Sequence, residues 1–364
     1  MCRIGGLLWN CDANENQYHS EGTSLLRTNH YAVLLLVLVM LASLLVACGA
    51  KSDTTGADQA GSTSAPSSDS TNTAQKPAAS ESATKLVKDA KGREVTVPMK
   101  PQRIISHYFP AETFALGVMA IGTNYATATQ MMTKEQLQGT EDIGGQGVNP
   151  NMEKVLALNP DLILVPDFLD QNGIDALSKI APTVVISYTI DLFTRLRTMG
   201  DIMGKSKEAE DWIAKYNKKA QEKREQLKSY IKPGETATAF VLFQDKKLYV
   251  YGNLRLGSTM YDALGFARPE KAAKLFEGSN KDTLWQTISA ETLPDYAGDR
   301  IFIVVNEANP DLKKVADEFL ESPVWKNLPA VKNGKAYVVG NKWSFYDPIT
   351  LDWLLDEMPK LLMK

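Results

Sequence analysis

Side chains that perform catalysis or bind metal ions are scarce in most of this sequence. Beyond residue 48 the chain contains one histidine, His107, and no cysteine. A histidine-based metal cluster, a thiolate metal site and a Ser-His-Asp triad are therefore disfavoured. The stretch GGQG, residues 144–147, lacks the lysine of a phosphate-binding loop, and a tight turn before a helix capped at Asn149-Pro150 is the preferred interpretation. The sequence predicts a binding protein rather than an enzyme, with no cofactor and no directly bound metal.

Aromatic side chains, by contrast, cluster in segments that follow predicted strands. Ligands of open α/β sheets collect beyond the carboxyl ends of the strands, so these segments predict the walls of a cleft. Core packing is the alternative for each residue taken alone. The candidate ligand-binding residues are His107, Tyr108, Tyr125, Tyr188, Arg255, Trp343, Phe345 and Tyr346.

One acidic pattern occurs twice in the chain. In EKVLALNPDLILV, residues 153–165, and in ETLPDYAGDRIFIV, residues 291–304, a glutamate begins a helix, an aspartate follows eight residues later, and an aliphatic strand comes next. A carboxylate in the first helical turn is favoured by the helix dipole by about 0.3–1 kcal/mol. That preference explains each glutamate, but not the equal distance from each glutamate to its strand.

An apolar run near the N-terminus is followed directly by a cysteine. Residues 31–47, YAVLLLVLVMLASLLVA, are typical of the hydrophobic region of a signal peptide, and a retained transmembrane helix is the alternative. LVAC, residues 45–48, has the form of a bacterial lipobox. We therefore expect a signal peptide over residues 1–47 and lipidation at Cys48. Residues 1–25 are polar and acidic where such a signal is normally short and basic, which indicates a misassigned start.

A low-complexity segment separates this cysteine from the first predicted strand. Between residues 48 and 84 the chain is mostly Ser, Thr, Ala, Gly, Asp and Gln. Such a composition cannot bury enough apolar surface to offset its chain entropy, so the segment predicts a flexible tether. The whole chain is 44% hydrophobic with a net charge of -3, which suits a globular body and gives no reason to expect nucleic acid as a partner.

Short aliphatic strands alternate with helical patterns through the body of the chain, which predicts parallel βαβ packing. The first segment, LVKDAKGREVTVP, predicts a β-hairpin that turns at Lys91-Gly92. Residues 206–231 contain neither glycine nor proline and predict one long helix, capped by Ser206 and carrying a narrow apolar stripe. The predicted organisation is an N-terminal lobe over residues 85–190, connecting helices over 191–232, and a C-terminal lobe with a terminal helix over 233–364.

Several segments together resemble the iron-siderophore and vitamin B12 class of ABC-transporter substrate-binding proteins. They are RIISHYFPAETFALGVMAIGT, EDIGGQGVNPNMEKVLALNPDLILV, YGNLRLGSTMYDALGF, ISAETLPDYAGDRIFIV, LPAVKNGKAYVV and SFYDPITLDWLLDEM. The resemblance implies an α/β fold of two parallel-sheet lobes joined by one long rigid helix. It also implies a monomer that clasps an iron chelate and delivers it to a membrane permease. With the lipobox, it implies lipid anchoring at the outer face of the cell membrane.

The resemblance narrows the ligand without naming it. Arg255 stands where members of this class often place a cleft arginine, and Lys342 is a second candidate cation. A triply anionic catecholate would need several cations, because burying unpaired charge is costly, so a ferric hydroxamate is favoured. Haem, with His107 or Met132 as axial ligand, and cobalamin are alternatives. A tethered sensor lipoprotein without a transport role is the alternative from a different class.

The same resemblance gives the repeated glutamates a function. In this class one surface glutamate on each lobe pairs with arginines of the two permease subunits. By their placement in NMEKVLAL and SAETLPDY, Glu153 and Glu291 match those positions. Exposed ion pairs are individually weak, so such contacts would set register and partner choice more than affinity.

Overall fold

A β-hairpin begins the part of the chain that the computed structural model describes, which comprises residues 83–281 and 283–364. Strand β1 (Thr84–Lys88) pairs antiparallel with β2 (Glu94–Pro98). In the turn, the Asp89 carboxylate accepts the backbone amides of Lys91 and Arg93 at 3.0 and 2.9 Å. The predicted hairpin is therefore confirmed.

The N-terminal lobe is a five-stranded parallel sheet with the order β5-β4-β3-β6-β7. Its strands are β3 (Ile104–Ser106), β4 (Gly122–Thr123), β5 (Glu141–Asp142), β6 (Leu162–Pro166) and β7 (Thr183–Ile186). Its helices are α1 (Pro110–Ala115), α2 (Tyr125–Met131), α3 (Met152–Ala157) and α4 (Gln171–Ser178). Helix α3 is capped by Asn151, whose side chain accepts the Lys154 amide at 3.1 Å, and not by Asn149-Pro150 as expected.

Two consecutive helices leave the first lobe. Helix α5 (Leu192–Met203) ends at Gly204, whose positive φ of 70° suits a helix C-terminus. Helix α6 (Ser206–Gln226) follows at once, with 21 residues and a length of about 32 Å.

Helix α6 is shorter than predicted. The sequence predicted a helix over residues 206–231, whereas a tight turn follows Gln226, in which Leu227 O accepts the Tyr230 amide at 2.8 Å. Ser206 is the first helical residue rather than the cap, because Lys205 occupies the N-cap position. The apolar stripe is as expected, with Ile213, Tyr216 and Ala220 buried.

The C-terminal lobe has a second five-stranded sheet, in the order β10-β9-β8-β11-β12. Its strands are β8 (Ala237–Leu242), β9 (Leu248–Tyr251), β10 (Trp285–Ile288), β11 (Arg300–Val305) and β12 (Ala336–Gly340). Strands β8, β11 and β12 are parallel, but β9 is antiparallel to both β8 and β10. The parallel βαβ pattern predicted for this lobe thus holds for β8, β11 and β12, whereas β9 is antiparallel because the turn from β8 to β9 is too short for a crossover helix.

The helical elements of this lobe are mostly short. They are a π-helical turn (Ser258–Ala263), α7 (Glu270–Lys274), a 3₁₀ turn (Gly278–Asn280), α8 (Leu293–Tyr296), α9 (Pro310–Glu321), α10 (Pro323–Lys326), α11 (Pro329–Lys332), a second 3₁₀ turn (Asn341–Ser344) and α12 (Pro348–Leu362). Helix α12 starts with Asp347 as its cap, whose carboxylate accepts the Thr350 amide at 2.9 Å, and Pro348 lies in its first turn. Across residues 83–281 and 283–364, helices lack the combined length and hydrophobicity needed to cross a membrane.

Hydrophobic packing joins the two lobes. Successive residues of β11 alternate between two clusters, with Phe302 and Val304 on one face and Ile301 and Ile303 on the other. The cluster that holds Phe302 also contains residues of β3, β6, α6 and α12, so it extends through both lobes. A continuous core of this kind, built around α6 and α12, holds the facing edges of the lobes at a defined separation.

The acidic repeat occupies equivalent positions in the two lobes. In the first, Asp161 lies between α3 and β6 and accepts the Gln102 and Arg103 amides at 2.7 and 2.9 Å, just before β3. In the second, Asp299 lies between α8 and β11 and accepts the amide and hydroxyl of Thr236 at 2.9 and 2.8 Å, just before β8. Each aspartate therefore ties the start of its lobe's central strand to the start of the next strand in the sheet.

Candidate ligand-binding site

A cavity of about 640 Å³ lies between the lobes. The first lobe lines it with Tyr108, Thr127, Gln130, Gly147, Val148, Phe168 and Tyr188. The second lobe lines it with Val241, Leu242, Phe243, Gln244, Tyr251, Arg255, Trp285, Val304, Asn306, Leu312, Asn341, Ser344 and Phe345. A cleft of this size, with aromatic walls and polar side chains among them, is typical of a small-molecule site.

The wall from the first lobe consists of aromatic side chains that follow strands. Tyr108, Phe168 and Tyr188 come soon after β3, β6 and β7. Their rings make edge-to-face contacts, with centroids 5.1 Å apart for Tyr108 and Phe168 and 5.2 Å apart for Phe168 and Tyr188. Phe168 is 43% exposed, which is a large fraction for a phenylalanine. A bound apolar group would cover this ring.

His107 supports this wall from behind. Its side chain is buried, and its Nε2 lies 2.8 Å from the carbonyl oxygen of Val148, a residue that lines the cavity. Burial lowers the pKa of His107, so the neutral imidazole is favoured, with Nε2–H as the donor to that carbonyl. Gly147, with a φ of 59°, turns the chain so that Val148 reaches the cavity. The GGQG stretch is thus a turn, and it forms part of the wall.

The wall from the second lobe is the face of a sheet together with the loops above it. Trp285 is at its centre, with ring centroids 4.8 Å from Phe243 and 6.0 Å from Tyr251. The Arg255 guanidinium carbon lies 5.1 Å from the centre of the Trp285 ring, which is within cation–π distance. Aromatic surface and one positive charge therefore occur side by side.

Arg255 is held in a strained backbone conformation. Its φ is 57°, in the left-handed region that non-glycine residues seldom occupy. One guanidinium nitrogen donates to the carbonyl of Ser344, and Nε has no hydrogen-bond partner in the described part of the protein. Among the described residues that line the cavity, Arg255 is the one with a charged side chain. The guanidinium therefore has donor capacity left for a ligand.

Tyr251 adds a hydroxyl to the same wall. Burial raises its pKa to about 12, and the positive charge of Arg255 only partly opposes that rise. The phenol is therefore protonated at neutral pH, and its hydroxyl is buried without a hydrogen-bond partner in the described part of the protein.

Amide side chains surround the mouth of the cavity. Asn341 Nδ2 of the second lobe donates to Gln130 Oε1 of the first lobe at 2.8 Å. A recess of about 440 Å³ adjoins the cavity here, and both spaces share Gln130, Asn306, Asn341 and Phe345 in their lining. Lys342 also lines the recess, with its Nζ 4.5 Å from the centre of the Trp353 ring.

The structure brings together four of the eight predicted ligand-binding residues in one cavity: Tyr108, Tyr188, Arg255 and Phe345. The other four were also expected in the wall of the cavity, but the structure places them outside its lining. His107 lies behind the wall, as described above. Tyr125 begins α2, directly after the short strand β4, and its hydroxyl donates to the Thr140 carbonyl at 2.5 Å.

Trp343 and Tyr346 also lie away from this cavity. Trp343 is 7% exposed and packs in the core, with ring centroids 6.3 Å from Phe302 and 5.7 Å from Trp353. The Tyr346 hydroxyl accepts the Leu192 amide at 3.0 Å, and its ring lines a separate cavity of about 450 Å³ next to α6. Ser344 and Phe345, between them, are the residues of this segment that line the cavity.

Sequence reasoning missed other parts of the wall. Phe243 and Trp285 both line the cavity, but Trp285 belongs to β10, a strand that the sequence pattern did not reveal. Gln130 and Asn341 are separated by the whole connecting region, so only the fold shows that they meet. The signal available in the sequence was the aromatic character of Phe243 and Trp285. Metal-binding groups of three or more His, Cys, Asp or Glu residues are absent from the described ranges.

The repeated glutamates lie on the protein surface. Glu153 is exposed in the first turn of α3, and Glu291 is exposed just before Thr292, the cap of α8. Glu291 thus precedes its helix rather than beginning it. Hydrogen bonds from its own backbone amide and from the Ser289 hydroxyl lower the pKa of Glu291, so this group is a carboxylate at neutral pH. Each lobe thus exposes a glutamate at or just before the helix that precedes its acidic-repeat strand.

Two α/β lobes that enclose an aromatic cavity define a substrate-binding protein, and sequence comparison leads to the same class. Residues 109–342 match the family described as periplasmic binding protein. The match covers more than half of the chain. The chain therefore belongs to the periplasmic binding protein family.

Two curated relatives come from Bacillus subtilis strain 168. The chain is 33% identical to the iron(3+)-hydroxamate-binding protein FhuD over 286 residues, which cover 76% of this chain and 85% of that protein. It is 30% identical to the iron(3+)-hydroxamate-binding protein YxeB over 306 residues, which cover 80% of this chain and 91% of that protein.

Solved structures of Staphylococcus aureus proteins have the same fold. FhuD2 with bound ferrioxamine B has a TM-score of 0.61 at 27% identity, covering 72% of this chain and 98% of FhuD2. SirA complexed with staphyloferrin B has a TM-score of 0.67 at 27% identity, covering 77% of this chain and 99% of SirA. The predicted fold class and the predicted family are confirmed by these matches.

Proposed function

We propose that this protein is the substrate-binding component of an ABC importer and that it carries a ferric siderophore of the hydroxamate type between its lobes. The observation that carries the proposal is the character of the cavity, with aromatic walls and a single charged side chain, Arg255, among its described lining residues. Two relatives named as iron(3+)-hydroxamate-binding proteins support the same choice.

Charge balance favours hydroxamates over more anionic chelates. A triply anionic complex buried beside one guanidinium would leave most of its charge without a partner, at a cost of several kcal/mol. A complex of low net charge needs one cation and several hydrogen-bond donors. Arg255 and the amides at the cavity mouth supply donors of that kind.

Haem fits the cavity less well. Of the two residues considered as axial ligands, His107 is buried with Nε2 engaged by Val148, and Met132 is buried in a cluster with Ala111 and Met131. Both side chains lie outside the lining of the cavity. An iron porphyrin would therefore find neither of these ligands in the wall.

The proposal also includes the route of delivery. Lipidation at Cys48 would anchor the protein at the outer face of the cell membrane through the segment before residue 85; Cys48 and residues 49–82 lie outside the described residues. Glu153 and Glu291 would contact the two permease subunits. The lipobox sequence and the recurrence of the acidic pattern support these two assignments.

Fluorescence titration of the purified protein tests the ligand class. Trp285 lies in the cavity wall, so a ferric complex bound there should quench its emission. The expected order of affinity is ferrioxamine B first, with a ferric triscatecholate and ferric citrate weaker. Haem binding would instead produce a Soret band, and indifference to every hydroxamate complex would contradict the proposal.

The Arg255→Ala variant tests the cation directly. Loss of a charge-assisted contact to the chelate oxygens should weaken binding by about 1.5–3 kcal/mol, or roughly 10- to 150-fold. The matched control is Arg197→Ala, which removes an exposed arginine that pairs with Glu210 on the surface. Equal affinities of the Arg255→Ala and Arg197→Ala proteins would remove Arg255 from the binding site.

A further inference from the structure

Arg195, on α5, is a buried arginine that contacts both lobes. Its side chain is 1% exposed, and its Nη1 donates to the Tyr188 carbonyl at 2.9 Å. Its Nη2 lies 2.8 Å from Glu112 Oε1 and also donates to the Tyr346 carbonyl. The guanidinium thus connects α1, the segment after β7, and the segment before α12.

Both carbonyls belong to segments that form the ligand cavity. The Tyr188 side chain lines the wall of the first lobe, and Tyr346 directly follows Phe345 of the second wall. Arg255 holds the other end of the same segment through the Ser344 carbonyl. Residues 344–346 are therefore fixed between two guanidinium groups, one beside the ligand and one in the core.

Two buried carboxylates set the charge around Arg195. Glu112 is 2% exposed, and the Asp347 carboxylate, also buried, caps α12. Burial raises the pKa of Glu112 to about 7, with Arg195 opposing this rise and the charge of Asp347 adding to it. Burial raises the pKa of Asp347 as well. One buried cation therefore faces two acids, and Glu112 changes its charge close to neutral pH.

The phenols around the cluster keep one charge state in this range, and the carboxyl of Asp262, whose pKa burial raises, interacts with Tyr216 and Tyr346. Tyr346 lies under Arg195, with the guanidinium carbon 5.4 Å from its ring centre, and burial raises its pKa to about 12. Burial also raises the pKa of Tyr216 on α6, which interacts with Tyr346, and that of Tyr125 on α2. All three phenols are neutral between pH 6 and 8, so a change in that interval is assigned to the carboxylates.

We propose that Arg195 is a positioning residue for the ligand: it joins the two walls of the cavity, and its bond to Glu112 determines how firmly it holds them. This inference rests on the proposed function, because its readout is siderophore affinity. Arg195 acts through Tyr188 and through residues 344–346, and thereby through the placement of Arg255.

The direction of the pH effect follows from the bond between Glu112 and Arg195. Because the pKa of Glu112 is raised to about 7, its ionised form, which makes the charge-assisted bond, is complete only above that pH. A charge-assisted bond is roughly twice as strong as a neutral one, so the walls are held more firmly at pH 8 than at pH 6. We expect ferrioxamine B to bind about five-fold more tightly at pH 8 than at pH 6.

The test is a titration with ferrioxamine B at pH 6 and pH 8, using the wild type and two variants. Glu112→Gln keeps an acceptor for Arg195 but cannot ionise, so its affinity should be the same at both pH values. Arg195→Lys keeps the charge but lacks the fork that contacts several acceptors, so it should bind about ten-fold more weakly at both pH values. Glu222→Gln, which neutralises an exposed glutamate of α6, is the control and should behave as the wild type.

Each outcome decides a separate question. A wild-type protein that binds no ferric hydroxamate contradicts the proposed function, and the inference then fails with it. A wild type that binds equally at both pH values, or a Glu112→Gln protein that keeps the wild-type pH profile, overturns the role of Arg195 alone. If Arg195→Lys does not fold, as judged by its melting temperature, the pH profile of Glu112→Gln decides.

Discussion

The two lobes have sheets with the same strand order but different strand directions. The central strand is β3 in one lobe and β8 in the other, each flanked on one side by the strand of the acidic repeat, β6 or β11. On the other side the lobes diverge, because β4 is parallel to β3 whereas β9 is antiparallel to β8. On the side of the acidic-repeat strand the two sheets thus have the same arrangement, called here the shared half. On the other side their strand directions differ.

The two sheets form different walls. In the first lobe, segments beyond the carboxyl ends of parallel strands supply Tyr108, Phe168 and Tyr188. In the second lobe, a short turn connects β8 to β9. A parallel connection would instead have placed a helix on the face of the sheet. The face of that sheet can therefore line the cavity with Tyr251 and Trp285. The comparison teaches that segments after the shared strands line the cavity in both lobes, while the antiparallel strands β9 and β10 add Tyr251 and Trp285 to the second wall only.

If the shared halves present equivalent docking carboxylates, both lobes should be needed for transport. We expect the double variant Glu153→Arg, Glu291→Arg to abolish uptake of labelled ferrioxamine B by cells. Each carboxylate would become a charge that repels a permease arginine. The two single variants should lose uptake to similar extents, since the proposed contacts are equivalent.

The purified double variant should retain wild-type siderophore affinity and melting temperature. Glu135→Arg with Glu321→Arg makes the same charge change at two other exposed positions and should leave uptake intact. Normal uptake by the Glu153, Glu291 double variant would leave these residues with a local role at their helices only.

The second prediction separates aromatic residues of the core from those of the cavity. Trp343→Ala should lower the free energy of unfolding by about 3–5 kcal/mol, because it empties a packed site beside Phe302 and Trp353. Phe168→Ala, in the opposite lobe, should leave the melting temperature nearly unchanged and weaken ferrioxamine B binding. Chemical denaturation and titration of both proteins measure the difference, and a stable Trp343→Ala protein with impaired binding would reverse the assignment.

Much of the scaffold could be predicted from the sequence because its signals are local. The hairpin at Lys91-Gly92, the aliphatic strands and the apolar stripe of α6 depend on residues near one another in the chain. The end of α6 was wrong by five residues, since Leu227 and the turn after it contain no helix-breaking residue. Strand β10 was missed because its burial depends on the long-range pairing of Trp285 with Tyr251.

The site was less predictable than the scaffold for a related reason. A sequence shows that an aromatic residue follows a strand, but not on which side of the chain its ring lies. Phe345 and Tyr346 are adjacent, yet they line different cavities. Trp343 and Trp285 are the same residue type, so the sequence does not distinguish their roles. Only packing assigns the first to the core and the second to the wall.

The smallest effect we predict concerns the shared halves themselves. Asp161→Asn and Asp299→Asn should each lower the free energy of unfolding by about 1–2 kcal/mol, because each carboxylate accepts two hydrogen bonds at the start of a central strand. Near-equal losses of stability would support the energetic equivalence of the two lobes. A loss in only one variant would show that the lobes are alike in topology alone. Asp317→Asn, at an exposed pair with Lys313, is the control and should change stability little.

The hydrogen bond between Gln130 and Asn341 has a consequence for unloading. A carrier must surrender its cargo as well as hold it, and this contact closes the cavity mouth with two neutral amides rather than an ion pair. Such a bond is worth about 0.5–1.5 kcal/mol. Two exposed ion pairs at a permease surface, each worth roughly 0.2–1 kcal/mol, could supply that much work. If Glu153 and Glu291 pair with the permease as proposed, docking itself would be sufficient to open this contact.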